Sequence, residues 1–203
     1  MGELLPRPRA SRAQAKRAFG LQDSARRAIR RYAGGDGALM AEPLKILVDA
    51  NVWLDYGIAT SENHESAVRF MVESAVNDVV LYVSSISLKD VFQLIVRRTK
   101  KELRNEGTEI DAAWSAAISE SAWSFVRSMR EAALVVPVGS SEVLHAETWR
   151  TAHGDLEDDL VLAAAKRVRA DCVVTSDREL LKRAQGICLS IDQARSLLGK
   201  KTS

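Results

Sequence analysis

The chain has 203 residues, 46% hydrophobic, 28% charged and 5% aromatic, which allows one full domain plus an appendage and excludes collagen-like, wholly disordered and disulfide-stapled chains. No apolar run approaches the roughly 18 residues that cross a bilayer, and the opening MGELLPRPRASRAQ lacks the apolar segment of a signal peptide, so a cytoplasmic protein without a membrane partner is expected. The net charge of +2 hides an asymmetry: residues 1–41 carry nine Lys or Arg against three Asp or Glu, giving +6, and the remainder carries 20 against 24, giving −4.

Residues 1–41 are studded with Arg7, Arg9, Arg12, Lys16, Arg17, Arg26, Arg27, Arg30 and Arg31 and end in the glycine-rich stretch AGGDG before Met40. Their apolar stripe is too thin to hold a helix in isolation. A mobile or marginally helical basic extension is expected, with residues 42–203 forming the folded domain. Its functional reading is an electrostatic grip on nucleic acid or an acidic partner. The plain alternatives are a solvated extension, or a translation start at Met40.

From Lys45 the pattern changes. KILVD reads as a strand buried on both faces of a parallel sheet. A helix follows over 61–76, with Val68, Met71, Val72, Ala75 and Val76 on one side; VVLYVSS, 79–85, is a second strand; Ser87 is placed to cap a helix through Leu88, Val91, Phe92, Ile95 and Val96. A long amphipathic helix spans 110–133, LVVPV is a third strand, and helices are expected over 141–153 and 155–169. CVVTS, a short helix 178–185, ICLSI and a closing helix complete the chain. Strands alternate with helices, so the fold class is α/β with right-handed crossovers. Cys172 and Cys188, in DCVVT and GICLS, lack metal-ligand or redox spacing and read as buried free thiols.

In an open parallel sheet the ligand crevice lies beyond the carboxyl ends of the strands. Asp49 follows the first strand and Asp177 the fourth; Asp158 lies early in one helix and Asp90 one turn into another. Each has a plain reading as a helix cap or an exposed acid, and Asp155, Glu157 and Asp159 read best as first-turn acids complementing a helix dipole. Together the four are expected to converge at one end of the sheet. Carboxylates a few ångströms apart repel unless a cation intervenes. Hard oxygen ligands without His or Cys point to Mg2+ or Mn2+, whose chemistry suits hydrolysis of a phosphodiester by activated water. His64, His145 and His153 form no ligand spacing; Trp114 and Trp123 read as core or dimer packing; Arg97, Arg98, Lys100, Lys101 and Arg104 form a second basic cluster, read as a solvated face with RNA contact as its alternative.

ILVDANVWLDY, VSSISLKDVFQLI and DLEDDLVLAAAKRVRADCVVTSD, in this order, resemble the three motif blocks of a PIN domain, including those of VapC-type toxins, over about residues 44–192. The resemblance implies a PIN-like three-layer α/β/α sandwich with a central parallel sheet, and metal-dependent endoribonuclease activity with Mg2+ or Mn2+ as cofactor. By it, Asp49, Asp90, Asp158 and Asp177 are the catalytic, metal-holding acids. Asn51 matches a polar position that orients the first acid, and Thr175 and Ser176 match the pair that positions the last acid or a water. The second acid is usually Glu in this family; Asp90 stands there. Asp158 matches the third acid better than Asp159, which aligns with a small or apolar position. The resemblance further implies the toxin of a type II toxin–antitoxin pair, with an RNA substrate, a small antitoxin partner and a homodimer. RNA-binding residues stay unassigned. The competing readings are a catalytically weak PIN-like module that binds RNA or a protein and, against the missing Asp-x-Asp or Asp-Asp spacing, a phosphatase or receiver-like protein.

Overall fold

The structure is a computed structural model and describes residues 42–149 and 154–199. The basic extension and the last part of the helix expected over 141–153 lie outside these residues. Its strands are β1 (Lys45–Val48), β2 (Val80–Ser84), β3 (Leu134–Val136), β4 (Cys172–Val174) and β5 (Cys188–Leu189). The helices are α1 (Ala50–Gly57), α2 (His64–Val76), α3 (Ser85–Asn105), α4 (Ala112–Ala132), α5 (Ser140–Trp149), α6 (Leu156–Arg167), α7 (Arg178–Arg183) and α8 (Ile191–Gly199).

All strand pairs are parallel, in the order β3-β2-β1-β4-β5. β1 is central because its ILV run is apolar toward both faces, and alternation sends neighbouring side chains to opposite layers. Ile46, Val48, Leu81, Val83, Cys172 and Val174 face one layer, where Trp53, Phe70, Val91, Met129, Ala194 and Leu198 bring in α1, α2, α3, α4 and α8. Leu47 and Val173 face the other, covered by Trp149, Leu162 and Leu180 from α5, α6 and α7. Fully burying residues such as Trp53 and Phe70 contributes about 1.5–3 kcal/mol each. The parallel α/β architecture is therefore as the sequence pattern predicts, and its three α/β/α layers are as the resemblance implies.

Cys172 and Cys188 are buried and free. Cys172 belongs to the first layer's core and Cys188 to the second, because Cys188 pairs in register with Val173. Burial pushes the Cys172 thiol up to about 12 and raises that of Cys188 further.

Several local expectations change. The sequence pattern places no helix directly after Asp49, whereas α1 begins there. Ser84, still in extended geometry at the end of β2, caps α3 by accepting from the Ser87 amide at 3.1 Å; Ser87 sits inside the first turn rather than at the cap. On α2 the buried face is Ala67, Phe70 and Ser74, while Val72 and Val76 are exposed, so the stripe lies rotated from the one expected. Trp114 and Trp123 are also exposed, which removes the core reading for both.

Candidate active site

The chain crosses from β1 to β2 and β3 on one side and returns through β4 and β5 on the other, so the topological switch point falls between β1 and β4. Their carboxyl ends form a crevice there. The ladder continues one residue past each strand: the Asp49 amide donates to Val174 O at 3.0 Å and the Thr175 amide to Leu189 O at 3.0 Å. The backbone of both site loops is thereby pinned to the sheet.

Asp49 caps α1, with Oδ1 accepting from the Ala50 amide at 2.7 Å. Its Oδ2 accepts from the Thr175 hydroxyl at 2.7 Å and from Asn51 Nδ2 at 3.4 Å. The carboxyl is nearly inaccessible, and its pKa is raised chiefly by that burial, against the two closest hydrogen bonds and with the charges of Asp177 and Asp90 adding to the rise. Asp177 caps α7 through Oδ1, taking the amides of Glu179 at 2.7 Å and Leu180 at 3.0 Å, and its own amide donates to Thr175 Oγ1 at 3.0 Å. Capping and site membership thus coincide at both residues.

Asp158, in the first turn of α6, has its pKa pushed up to about 6 by burial first, then by Asp155, with Asp49 and Asp177 adding and Arg183 opposing. Arg183 Nη2 donates to Asp158 Oδ2. Asp155 is the N-cap of α6 rather than a first-turn acid. Asp159 is buried, 2% exposed, within α6. Asp49, Asp158 and Asp177, from three separated stretches of chain, therefore lie within one another's electrostatic reach.

Asp90 occupies the next position along. It is 8% exposed; Oδ1 pairs with Lys89 Nζ at 2.7 Å, and Oδ2 is buried without a hydrogen-bond partner. The Glu157 carboxyl faces it, and its pKa is pushed up to about 7 by burial first and then by a hydrogen bond to Asp90 and by that residue's charge. Ser176, in the loop before Asp177, donates its hydroxyl to Asp55 Oδ2 on α1. Asp55 also accepts from the Ser61 hydroxyl and from Asn63 Nδ2, and His64 Nδ1 meets its carbonyl.

Sequence reasoning misses Glu157, Lys89, Arg183 and Asp55 as neighbours of the acids. For Glu157 the only signal is its place beside Asp158; for Arg183 and Asp55, whose partners lie 25 and 121 residues away, there is none. The donor set is hard oxygen throughout, and a buried Asp90 oxygen without a hydrogen-bond partner, beside Asp49 and Asp158 whose charged forms are disfavoured in part by neighbouring acids, suits a divalent cation. As the side chains stand, however, no group of three or more His, Cys, Asp or Glu among the described residues is arranged to hold a metal ion. Lys89 and Arg183 are the cations in contact with these acids.

The match to a protein family fits this geometry. A model described as the PIN domain matches residues 45–179. The chain belongs to the PIN domain family. Among solved structures, VapC20 of Mycobacterium tuberculosis, described as a sarcin-ricin loop cleaving toxin, superposes with a TM-score of 0.51 at 17% identity, covering 68% of this chain and 93% of that one. VapBC2 of Rickettsia felis, bound to a DNA fragment from its promoter, gives 0.50 at 14% identity, covering 72% and 98%. At such identities the likeness is one of fold. A comparison with curated proteins finds no match. No helix among the described residues is long and apolar enough to cross a membrane.

Proposed function

We propose that this chain is a divalent-metal-dependent endoribonuclease and the toxin half of a toxin–antitoxin pair. The observation that carries the reading is the gathering of Asp49, Asp158 and Asp177 at the switch point of the sheet, where Thr175 bridges Asp49 and Asp177 and the charge of Asp177 bears on both other acids. Asp49, Asp158, Asp177 and Asp90 are the residues that would hold Mg2+ or Mn2+. When bound, such an ion supplies charge compensation to the phosphodiester and acidifies water. Thr175 and Asn51 hold the Asp49 carboxylate in orientation through their donors, and the Thr175 hydroxyl fixes the Asp177 amide relative to it.

Basic residues outside the pocket must supply RNA affinity, because residues 42–203 are net negative; the segment 1–41 is the strongest candidate, and binding should weaken steeply with salt. The two Vap-type neighbours of the same fold support an antitoxin partner, and a homodimer belongs to the same proposal. A second reading, a PIN-like module that binds without cutting, draws on Arg183 and Lys89 occupying Asp158 and Asp90. Cleavage of mixed single-stranded RNA separates the two. With Mn2+ the wild type should cut, and EDTA or Asp49→Asn should abolish cutting; a folded wild type without metal-dependent cleavage favours the binding module.

A further inference from the structure

Arg183 reaches back across the crevice from the helix that Asp177 caps. Nη2 donates to Asp158 Oδ2 and Nε donates to Glu179 O at 3.4 Å. The pair is partly buried, with 28% of the Arg183 side chain and 18% of that of Asp158 exposed. The contact therefore ties the third acid to the element that carries the fourth. Asp155, Asp49 and Asp177 all bear on Asp158 with one sign, and Arg183 bears on it with the other.

We infer that Arg183 is the resident counter-ion of the acid pocket, which a divalent cation must displace from Asp158, freeing the guanidinium to take a phosphate of the RNA; this rests on the metal-dependent reading above. One guanidinium brings a single positive charge and only N–H donors. It engages one oxygen of one acid and leaves Asp49 buried without a cation. A divalent ion carries twice the charge and accepts lone pairs from several carboxylates at once. Two cations drawn to the one Asp158 carboxylate repel each other, so the binding of one disfavours the other. The released guanidinium has a planar fork matched to phosphate oxygens, and it lies in the last turn of α7, where a cation also complements the helix dipole. A divalent ion held by the acids would thus leave Arg183 free for an incoming phosphate.

The test is calorimetric titration of the full chain with Mn2+ alone, for wild type, Arg183→Gln and Arg183→Lys. Removing the competitor should tighten Mn2+ binding by about tenfold, within the roughly 5–150-fold range of coupled sites, and Arg183→Lys, which keeps the charge, should stay nearer the wild type. Unchanged or weaker binding in Arg183→Gln overturns the inference. Should that variant not fold, Mg2+ titration of 15N-arginine-labelled wild type serves: the Arg183 Nε–H resonance, identified by its loss in Arg183→Lys, must shift, and a fixed resonance overturns it. For the phosphate contact, Arg183→Gln should raise KM for RNA more than it lowers kcat, and an unchanged KM overturns that half. A wild type that binds Mn2+ but cuts no RNA removes the nuclease reading while leaving the cation exchange standing. A chain in which neither wild type nor Arg183→Gln binds Mn2+ removes both.

Discussion

The hydroxyl of Thr175 donates to Asp49 Oδ2 at 2.7 Å across the carboxyl ends of two adjacent strands. Thr175 Oγ1 also accepts from the amide of Asp177 at 3.0 Å, so one buried side chain sets the distance between the first and last acids. Thr175→Val keeps the shape and removes both bonds. It should cost about 1–3 kcal/mol, the penalty for leaving a buried group unsatisfied, and should lower RNA cleavage, while Thr175→Ser restores most of both. Urea denaturation alongside a cleavage assay checks this; a Val variant as stable and active as wild type would remove Thr175 from the site.

Charge crowding makes the acids a burden in the absence of metal. In EDTA, Asp177→Asn should raise the melting temperature, because Asn caps a helix as well as Asp does while relieving repulsion; relief of ~1 kcal/mol is worth roughly 2–4 °C in a chain of this size. Asp49→Asn should act in the same direction, since burial opposes its charged form. Both should lose the thermal shift that Mn2+ gives the wild type. Clear drops in EDTA for both would mean that the two residues serve only as caps.

Stability without metal should peak in mildly acidic solution. Asp158 and Glu157 titrate in the folded chain near 6 and 7, above their ordinary values of 3.8 and 4.5, so the folded state holds more protons and their contribution is lost as pH rises through about 4 to 7. Glu142 has the opposite sign. Buried at 3% exposure, it is held down to about 2 by the Ser141 hydroxyl first, against burial and with help from the Gly139 amide and Arg167, so its contribution is present above 4.5 and is lost as pH falls toward 2. Melting curves in EDTA across pH 2–8 should rise and then fall; Asp158→Asn should flatten the upper limb and Glu142→Gln the lower one.

Ser176 and Asp55 form one unit, joining the loop before Asp177 to α1. Ser176→Ala and Asp55→Asn should each destabilise by about 1 kcal/mol. Their double variant should cost less than the sum, with a coupling of roughly 0.5 kcal/mol or more. Additivity in a denaturant cycle would show that the two act separately.

Asp49 and Asp177 are legible in the sequence because strand ends in a parallel sheet have a fixed position relative to the crevice, and apolar runs mark those ends; Asp158, in the first turn of α6, is legible only through its motif block. The sandwich itself follows from the same alternation. The capping and functional readings of Asp49 and Asp177, competitors on paper, are both realised: an acid at a strand end has amides on one side and open crevice on the other. What the sequence hides is who answers each charge. Arg183 is one arginine among many until α7 folds back over α6, and Ser176 points at Asp55 because α1 begins immediately after Asp49, a helix too short to leave a periodic signature. The rotated face of α2 has a similar origin, since its exposed valines mimic a buried stripe that the packing of α8 against Ala67 and Phe70 overrules.

The two sulfurs bear on handling of the protein. Cys172 and Cys188 sit on neighbouring strands but project into opposite layers, so the sheet itself stands between them and they cannot join. Neither thiol meets an alkylating reagent while the sandwich is closed. Labelling by a maleimide therefore records opening of the fold, one sulfur for each layer, and serves as a clock for how fast either half comes apart.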